Sequence, residues 1–523
     1  MEQTLTGLPA RMDFTTLADA FAHSGRTTLL AGAGVALVGV GLSVSGVGAV
    51  AKTAAPAGSK AKKKGGRDAS PPRGVYADDD TSLTPTLTAK GFDAGEYAGD
   101  QRSKDAATGA SRQLGLDAPW WIGYALLLPV GPYVALQIIM CSSWEWLDKH
   151  SLNGIKAAAW CSSKISPYFR RFVRHPADGF MMTTLLWLGV CLPAYFFYEL
   201  QHAMAHGFVW QRVLLYNLVR IGPQYMNFMY VYVMCHKEGH SHVGLFAKPY
   251  HAALQRAFNL WVGMFHGVVP GTFMYSHTYN HHRYDNTQRD DITCGDRARD
   301  DWNNYVRYIP RWFAYATNVS TVRRFFFVPD EKGEFRTLMG FKTVCGSLYY
   351  VAFIAFFFRL QPAFALATLL YPLIEANILL SIVNFVWHAF MDPADPTNDY
   401  VVSTTIIEGL NFTLKEEYHV VHHQYAGVHW TKHPELFEKH KADYKKYKGT
   451  LFHKQNLFEI FGMMVSKDYE KLASFWYGEF VGLKMAPQEV AAMLKERLQY
   501  TGSWADNEEQ RKVGPMFMDR KWC

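Results

Sequence analysis

Charge is scarce in this chain. Of its 523 residues only 19% are Asp, Glu, Lys or Arg, while 49% are hydrophobic and 15% aromatic. Long apolar runs alternate with strongly polar stretches, which suits a membrane protein with large water-facing parts better than a uniform soluble globule. Ordered cysteine is missing too. Cys141, Cys161, Cys191, Cys235, Cys294, Cys345 and Cys523 are scattered, odd in number and free of any CxxC pair. That excludes a disulfide scaffold and a zinc ribbon. No solenoid-type repeat is present. The net charge of +7 would suit nucleic acid or an anionic membrane face. Its distribution decides for the membrane, because the basic residues lie in the segments between apolar runs.

Three regions are expected: a peripheral stretch 1–115, a membrane domain 116–440 and a cytoplasmic tail 441–523. The first contains an Ala/Gly/Val run at 28–50, readable as a span or as part of a targeting sequence, and a linker-like basic stretch from Lys60 to Arg67. A spanning helix needs about 20 apolar residues. Candidates are 119–141, 181–200, 209–234, 343–359 and 362–386, the last two forming a hairpin. Residues 253–275 are apolar as well, but Pro270-Gly271 and His266 interrupt them, so they are expected to be re-entrant or interfacial. The fold class is therefore an all-α membrane bundle of about four core spans, with one or two more near the N-terminus. Lys149, Lys156, Lys164, Arg170, Arg171 and Arg174 precede the second candidate, and Arg283 to Arg324 supply a second basic segment. Both are expected on the cytoplasmic side.

What the chain has in excess is histidine, 21 in all. Three clusters stand out: His236-Lys-Glu-Gly-His240, His277-Thr-Tyr-Asn-His281-His282 and His419-Val-Val-His422-His423. On a helix, residues three or four apart share a face, so each cluster aims imidazoles at one point. The topology brings all three to one membrane face, where a helical cap would hold them. Asn384 and His388, four apart at the end of the hairpin, are costly in lipid unless they serve a site. Nine histidines exceed the needs of one metal ion and match two; imidazole suits iron, zinc and copper alike.

These boxes resemble the three histidine boxes of membrane fatty-acid desaturases in order, in the gap of about 40 residues between the first two and in the intervening hairpin. Asn384 and His388 fit an NxxxH element of stearoyl-CoA desaturases. The resemblance covers about residues 180–430. It implies that His236, His240, His277, His281, His282, His388, His419, His422 and His423 ligate two irons, that Asn384 holds one of them through a water, and that dioxygen is the co-substrate. Two features depart from it. The second box is HxxxHH where HxxHH is commoner, and HxxxHH also occurs in membrane alkane hydroxylases on the same scaffold. Trp387 stands where those hydroxylases carry Glu. A fatty-acid desaturase is favoured, with a diiron hydroxylase as the alternative.

His202 and His206 also show HxxxH spacing, but they follow the 181–200 span on the opposite side, so they are excluded from the site. His242 and His429 are expected to be outer-shell or exposed, and His251 and His266 interfacial. Metal-bound histidines usually donate their second N–H to a carboxylate or carbonyl, for which Glu238, Asp285, Asp290, Asp291, Glu416 and Glu417 are candidates. A histidine-rich metal transporter would place ionisable ligands mid-span, whereas here they lie at span ends and in loops. No GxGxxG nucleotide pattern is present, and His175-Pro-Ala-Asp does not match the HPGG haem motif. Electrons are therefore expected from a separate protein, cytochrome b5 at the endoplasmic reticulum or ferredoxin in a plastid, docking at a basic surface that includes Arg307 and Arg311. The other expected partners are the bilayer and a fatty acyl substrate, not nucleic acid.

Overall fold

The computed structural model describes residues 120–131 and 164–502, apart from short stretches at 223–224, 242–243, 288, 331–332 and 410–412, together with strands β1 (Thr86–Leu87) and β2 (Phe92–Asp93). The apolar run 28–50, the Lys60–Arg67 stretch, residues 132–141 of the 119–141 candidate and His242 lie outside the described residues.

The described chain is mostly helical. Helix α1 (Trp120–Leu127) packs against the later helix that carries Tyr308. Helix α2 (Pro176–His206) is 31 residues long and apolar enough to cross a membrane. One π turn, Trp187–Cys191, interrupts it just before Pro193. Proline has no N–H to give the preceding turn and its ring crowds it, and a widened turn relieves both problems. Gly207, at φ 84, ends α2 and starts the return.

The 209–234 candidate departs from expectation. It is two helices, α3 (Trp210–Ile221) and α4 (Met226–His240), broken at Gly222. The sequence Gly222-Pro223 explains the break: Gly222 takes φ 72, and a Cβ there would meet Asn227 Cγ at 2.7 Å. Asn227 also accepts from Trp187 Nε1 at 3.3 Å and donates to the Val219 carbonyl at 2.8 Å, so the corner is built into the packing. Neither piece is long enough alone to cross roughly 30 Å of hydrocarbon.

Residues 253–271 form short helical turns, with breaks at Gly267 (φ 81) and Gly271 (φ 99). They lead into a ten-residue π-helix, Thr272–His281. Helices α5 (Trp302–Ala316) and α6 (Val319–Phe327) follow. Then comes the expected hairpin, α7 (Thr337–Leu360) and α8 (Pro362–Trp387), both long and apolar enough to span. The protein buries 61% of the apolar stretch of α8 but only 17% of that of α7. Leu348, Val351 and Phe356 of α7 point outward, as a lipid-facing helix requires. Three described helices thus qualify as spans by length and composition. A buried ion pair ties α3 to α8, with Arg220 Nη2 2.5 Å from Glu375 Oε2.

Shorter helices follow, among them α9 (His419–Gln424), α10 (His433–Lys446), α11 (Leu457–Val465) and α12 (Pro487–Gln499). Strands β3 (Thr405–Ile407) and β4 (Leu451–His453) pair in parallel, a small exception to all-α. The segment read as a tail is folded into the domain as far as Gly502. Buried Arg299 donates to the carbonyls of Ala389, Arg497 and Tyr500 at 2.6–2.7 Å, and α11 packs against α8. The sequence missed this because these helices are short and amphipathic, with no long apolar run. Arg311 is corrected too. It is buried and forked onto Asp296 at 2.9 Å, so it belongs to the core, whereas Arg307 is exposed.

Candidate metal centre

The centre is assembled from four chain segments. Box one sits in the last turn of α4, buried along its whole second half. Gly239 within it is needed for close approach: an added Cβ would meet the Phe273 carbonyl oxygen at 2.5 Å. That contact brings His236 and His240 against His277.

Box two shows how local structure absorbs its unusual spacing. In an α-helix the residues three and four positions on flank a given residue, which is what HxxHH exploits. HxxxHH places its doublet four and five positions on. The π-helix closes its hydrogen bonds five residues on, lengthening each turn by roughly one residue. The His282 N–H duly reaches the His277 carbonyl, and Ser276 N–H the Gly271 carbonyl at 3.4 Å. The doublet therefore straddles His277 after all. Asn318 pins the start of this helix, accepting from Thr272 Oγ1 at 3.1 Å and Ser276 Oγ at 2.9 Å.

The nine histidines converge and divide into two groups. His236, His240, His277, His282 and His422 offer ring nitrogens all within 4.8 Å of one another. His281, His388 and His423 form the second group. His419 joins it, with Nε2 3.1 Å from His388 Nε2. Within the first group Nε2 of His236 lies 2.5 Å from Nε2 of His277, and His282 Nε2 lies 2.9 Å from the same atom. Neutral imidazoles pointing lone pairs at one another over such distances repel unless they share a cation. Nδ1 of His240, Nδ1 of His282 and both nitrogens of His422 meet no hydrogen-bond partner in the protein. Buried polar atoms of that kind normally find one. Burial first, then the neighbouring imidazoles or nearby charges, hold His282, His419 and His422 well below the usual histidine range. They are neutral, the form that binds metal. The donor set fits iron, and imidazole alone fits zinc and copper as well.

Of the six candidate carboxylates, three face the centre. Glu416 Oε2 is 2.6 Å from His236 Nδ1, Asp290 Oδ2 is 2.7 Å from His281 Nδ1, and Asp285 Oδ1 is 3.3 Å from His388 Nδ1. The other three have different partners: Glu238 accepts from Asn259 N at 2.8 Å, Asp291 pairs with Arg324 at 2.8 Å, and Glu417 accepts from Thr413 Oγ1. All six are buried, not solvated. Asn384 donates to the Tyr308 hydroxyl at 2.8 Å and lines the same cavity as His277, His281 and His419.

Residues 209–455 match the family model for fatty acid desaturases. The match supports the membrane fatty-acid desaturase family for this central region. No curated protein and no solved structure gives a significant match. The matched domain supports an oxidoreductase with a lipid substrate and a membrane association, and the buried histidine groups are compatible with a metal centre.

The other histidines fall outside this centre. His202 is half-buried and His206 exposed. His266 is buried, not interfacial, with Nε2 3.3 Å from the Arg220 carbonyl. His429 belongs to a third group that sequence reading missed, with His175 and Asp178. Its Nε2 lies 3.1 Å from both Asp178 oxygens, and Trp430 Nε1 donates to Asp178 at 2.8 Å. His175 Nδ1 accepts from Ala177 N–H, which leaves the proton on its Nε2. The group is a hydrogen-bonded clamp between the start of α2 and the segment after box three. Tyr308, which holds Asn384, was also missed; nothing in its local sequence separates it from any core tyrosine.

Proposed function

We propose that the chain is a membrane desaturase that inserts a double bond into a fatty acyl chain, using dioxygen and two irons. The observation that carries this reading is the meeting of two histidine groups with one narrow apolar cavity. Five histidines would hold one iron; His281, His388, His419 and His423 would hold the other, with Asn384 beside it through a water. Bound there, the metal pair supplies the activation of dioxygen needed to take hydrogen from an unactivated C–H bond. The cavity is narrow and is walled by Val268, Val269, Phe273, Leu380 and Val383, with His277, His281 and His419 at its metal end. Such walls suit a methylene chain and exclude water from the reacting carbon. Outer carboxylates hold Nδ1 protons on the histidines they face, so that Nε2 lone pairs point inward.

Removing two hydrogens from the chain while reducing dioxygen to two waters takes two further electrons. A separate donor would supply them, cytochrome b5 at the endoplasmic reticulum or ferredoxin in a plastid. Arg307 is the member of the expected docking pair that remains on the surface. The HxxxHH spacing supports a second reading, hydroxylation by the same centre, since both reactions begin with hydrogen removal.

Expression in a heterologous host, with mass spectrometry of total fatty acids, separates these readings. A new double bond supports desaturation and a new hydroxyl supports hydroxylation. The control is His282→Ala, which should abolish the product while membrane insertion persists; full activity in that variant would sink the site assignment.

A further inference from the structure

The carboxylates around the centre are shared unevenly. In the five-histidine group only His236 faces one, and that carboxylate, Glu416, also has Lys237 Nζ 3.7 Å away. Among the described residues His240, His277, His282 and His422 pair with none. In the four-histidine group three members face carboxylates: His281 faces Asp290, while His388 and His423 share Asp285 Oδ1 at 3.3 and 3.4 Å. Asp285 comes from the end of box two, His388 from the end of α8 and His423 from α9, so one side chain joins three distant segments.

We propose that Asp285 is a positioning residue that clamps His388 to His423 and makes the two metal positions electronically unequal. The inference rests on the reading of the nine histidines as ligands of two irons. The local backbone supports it. Asp285 and Asn286 take φ 33 and 60, a left-handed turn that favours Asp and Asn. The Asp285 N–H is held by the His281 carbonyl at 2.7 Å. Asn286 donates Nδ2–H to the His388 carbonyl at 3.2 Å, while its Oδ1 accepts from Cys294 N at 2.8 Å. The turn thus meets His388 twice, by a hydrogen bond from Asn286 to its backbone and by the Asp285 carboxylate standing at contact distance from its ring nitrogen. A carboxylate at Nδ1 fixes the tautomer and raises the basicity of Nε2. The metal position with three such histidines is the more electron-rich, and the five-histidine position the more electron-poor.

The test is Mössbauer spectroscopy of the full chain, purified in detergent and loaded with isotopically enriched iron. About two iron atoms per chain and two distinct doublets are expected of the wild type. Asp285→Asn keeps the shape and the left-handed preference but removes the charge; it should move one doublet and leave the other in place. Asp290→Asn should move that same doublet, and Glu416→Gln the other one. Should Asp285→Asn not be recovered as folded protein, Asp290→Asn against Glu416→Gln still decides. Wild type without two irons defeats the underlying reading. Two irons with a spectrum that Asp285→Asn leaves unchanged, or with all three variants moving the same doublet, overturns the inference alone.

Discussion

Two helices of this protein end in the same pattern. Helix α2 closes on His202-Ala-Met-Ala-His206 and α4 on His236-Lys-Glu-Gly-His240. The ring centroids of each pair are 4.8 Å apart. Geometrically the two pairs are twins. Yet His206 is exposed, while His236 and His240 are buried among seven further imidazoles. Spacing makes a pair of ligands available; what surrounds the pair decides whether a metal site exists. The fourth residue of each pattern shows how. Ala205 is exposed, whereas Gly239 lies against the Phe273 carbonyl, where no Cβ fits. Among the described residues nothing packs against Ala205 in this way.

The sharpest way to break the comparison is His240→Ala. We expect loss of detectable product and an iron content below two per chain, read by elemental analysis of purified protein. Retention of both irons would mean that the five-histidine group is not a ligand set. The next largest effect is Gly239→Ala. Its Cβ must push α4 from the π-helix, costing about 1–3 kcal/mol, typical of overpacking. Thermal unfolding in detergent measures this, and an unchanged midpoint would show that the close approach is dispensable. Tyr308→Phe comes third. It removes two buried hydrogen bonds, one accepted from Asn384 and one donated to the Ile292 carbonyl, each worth about 0.5–1.5 kcal/mol net, and activity should fall by roughly tenfold or less with iron content intact. A loss as complete as that of His240→Ala would promote Tyr308 from a support to a direct participant. His206→Ala is the smallest. Iron and product should be unchanged, and stability should stay within about 0.5 kcal/mol, as for an ordinary surface position. Iron lost from this variant would show the twins to be functionally alike.

Parts of this architecture were readable before any coordinates. The hairpin α7–α8 and the span within α2 are long apolar runs, and burial against lipid depends on composition more than on neighbours. The boxes were readable because their spacing matches a helical period. The break at Gly222 was not, since the apolar residues on both sides mask it. Glu416, Asp285 and Asp290 could not be told from the other three candidate acids, because burial and partners are non-local properties. Arg311 looked like a docking residue for the same reason, until Asp296 was found beside it.

The sequence by itself determined that this is a membrane protein with three histidine clusters whose members share helical faces. Those properties follow from side-chain chemistry and from the period of a helix, both local. Only the tertiary structure decided how nine histidines divide into five and four, which carboxylates stand behind them and that the HxxxH pair of α2 stands apart. Each of these depends on segments far apart in the chain coming within a few ångströms, as at Gly239 and Phe273. No local pattern specifies such a meeting, because it is set by the packing of the whole fold.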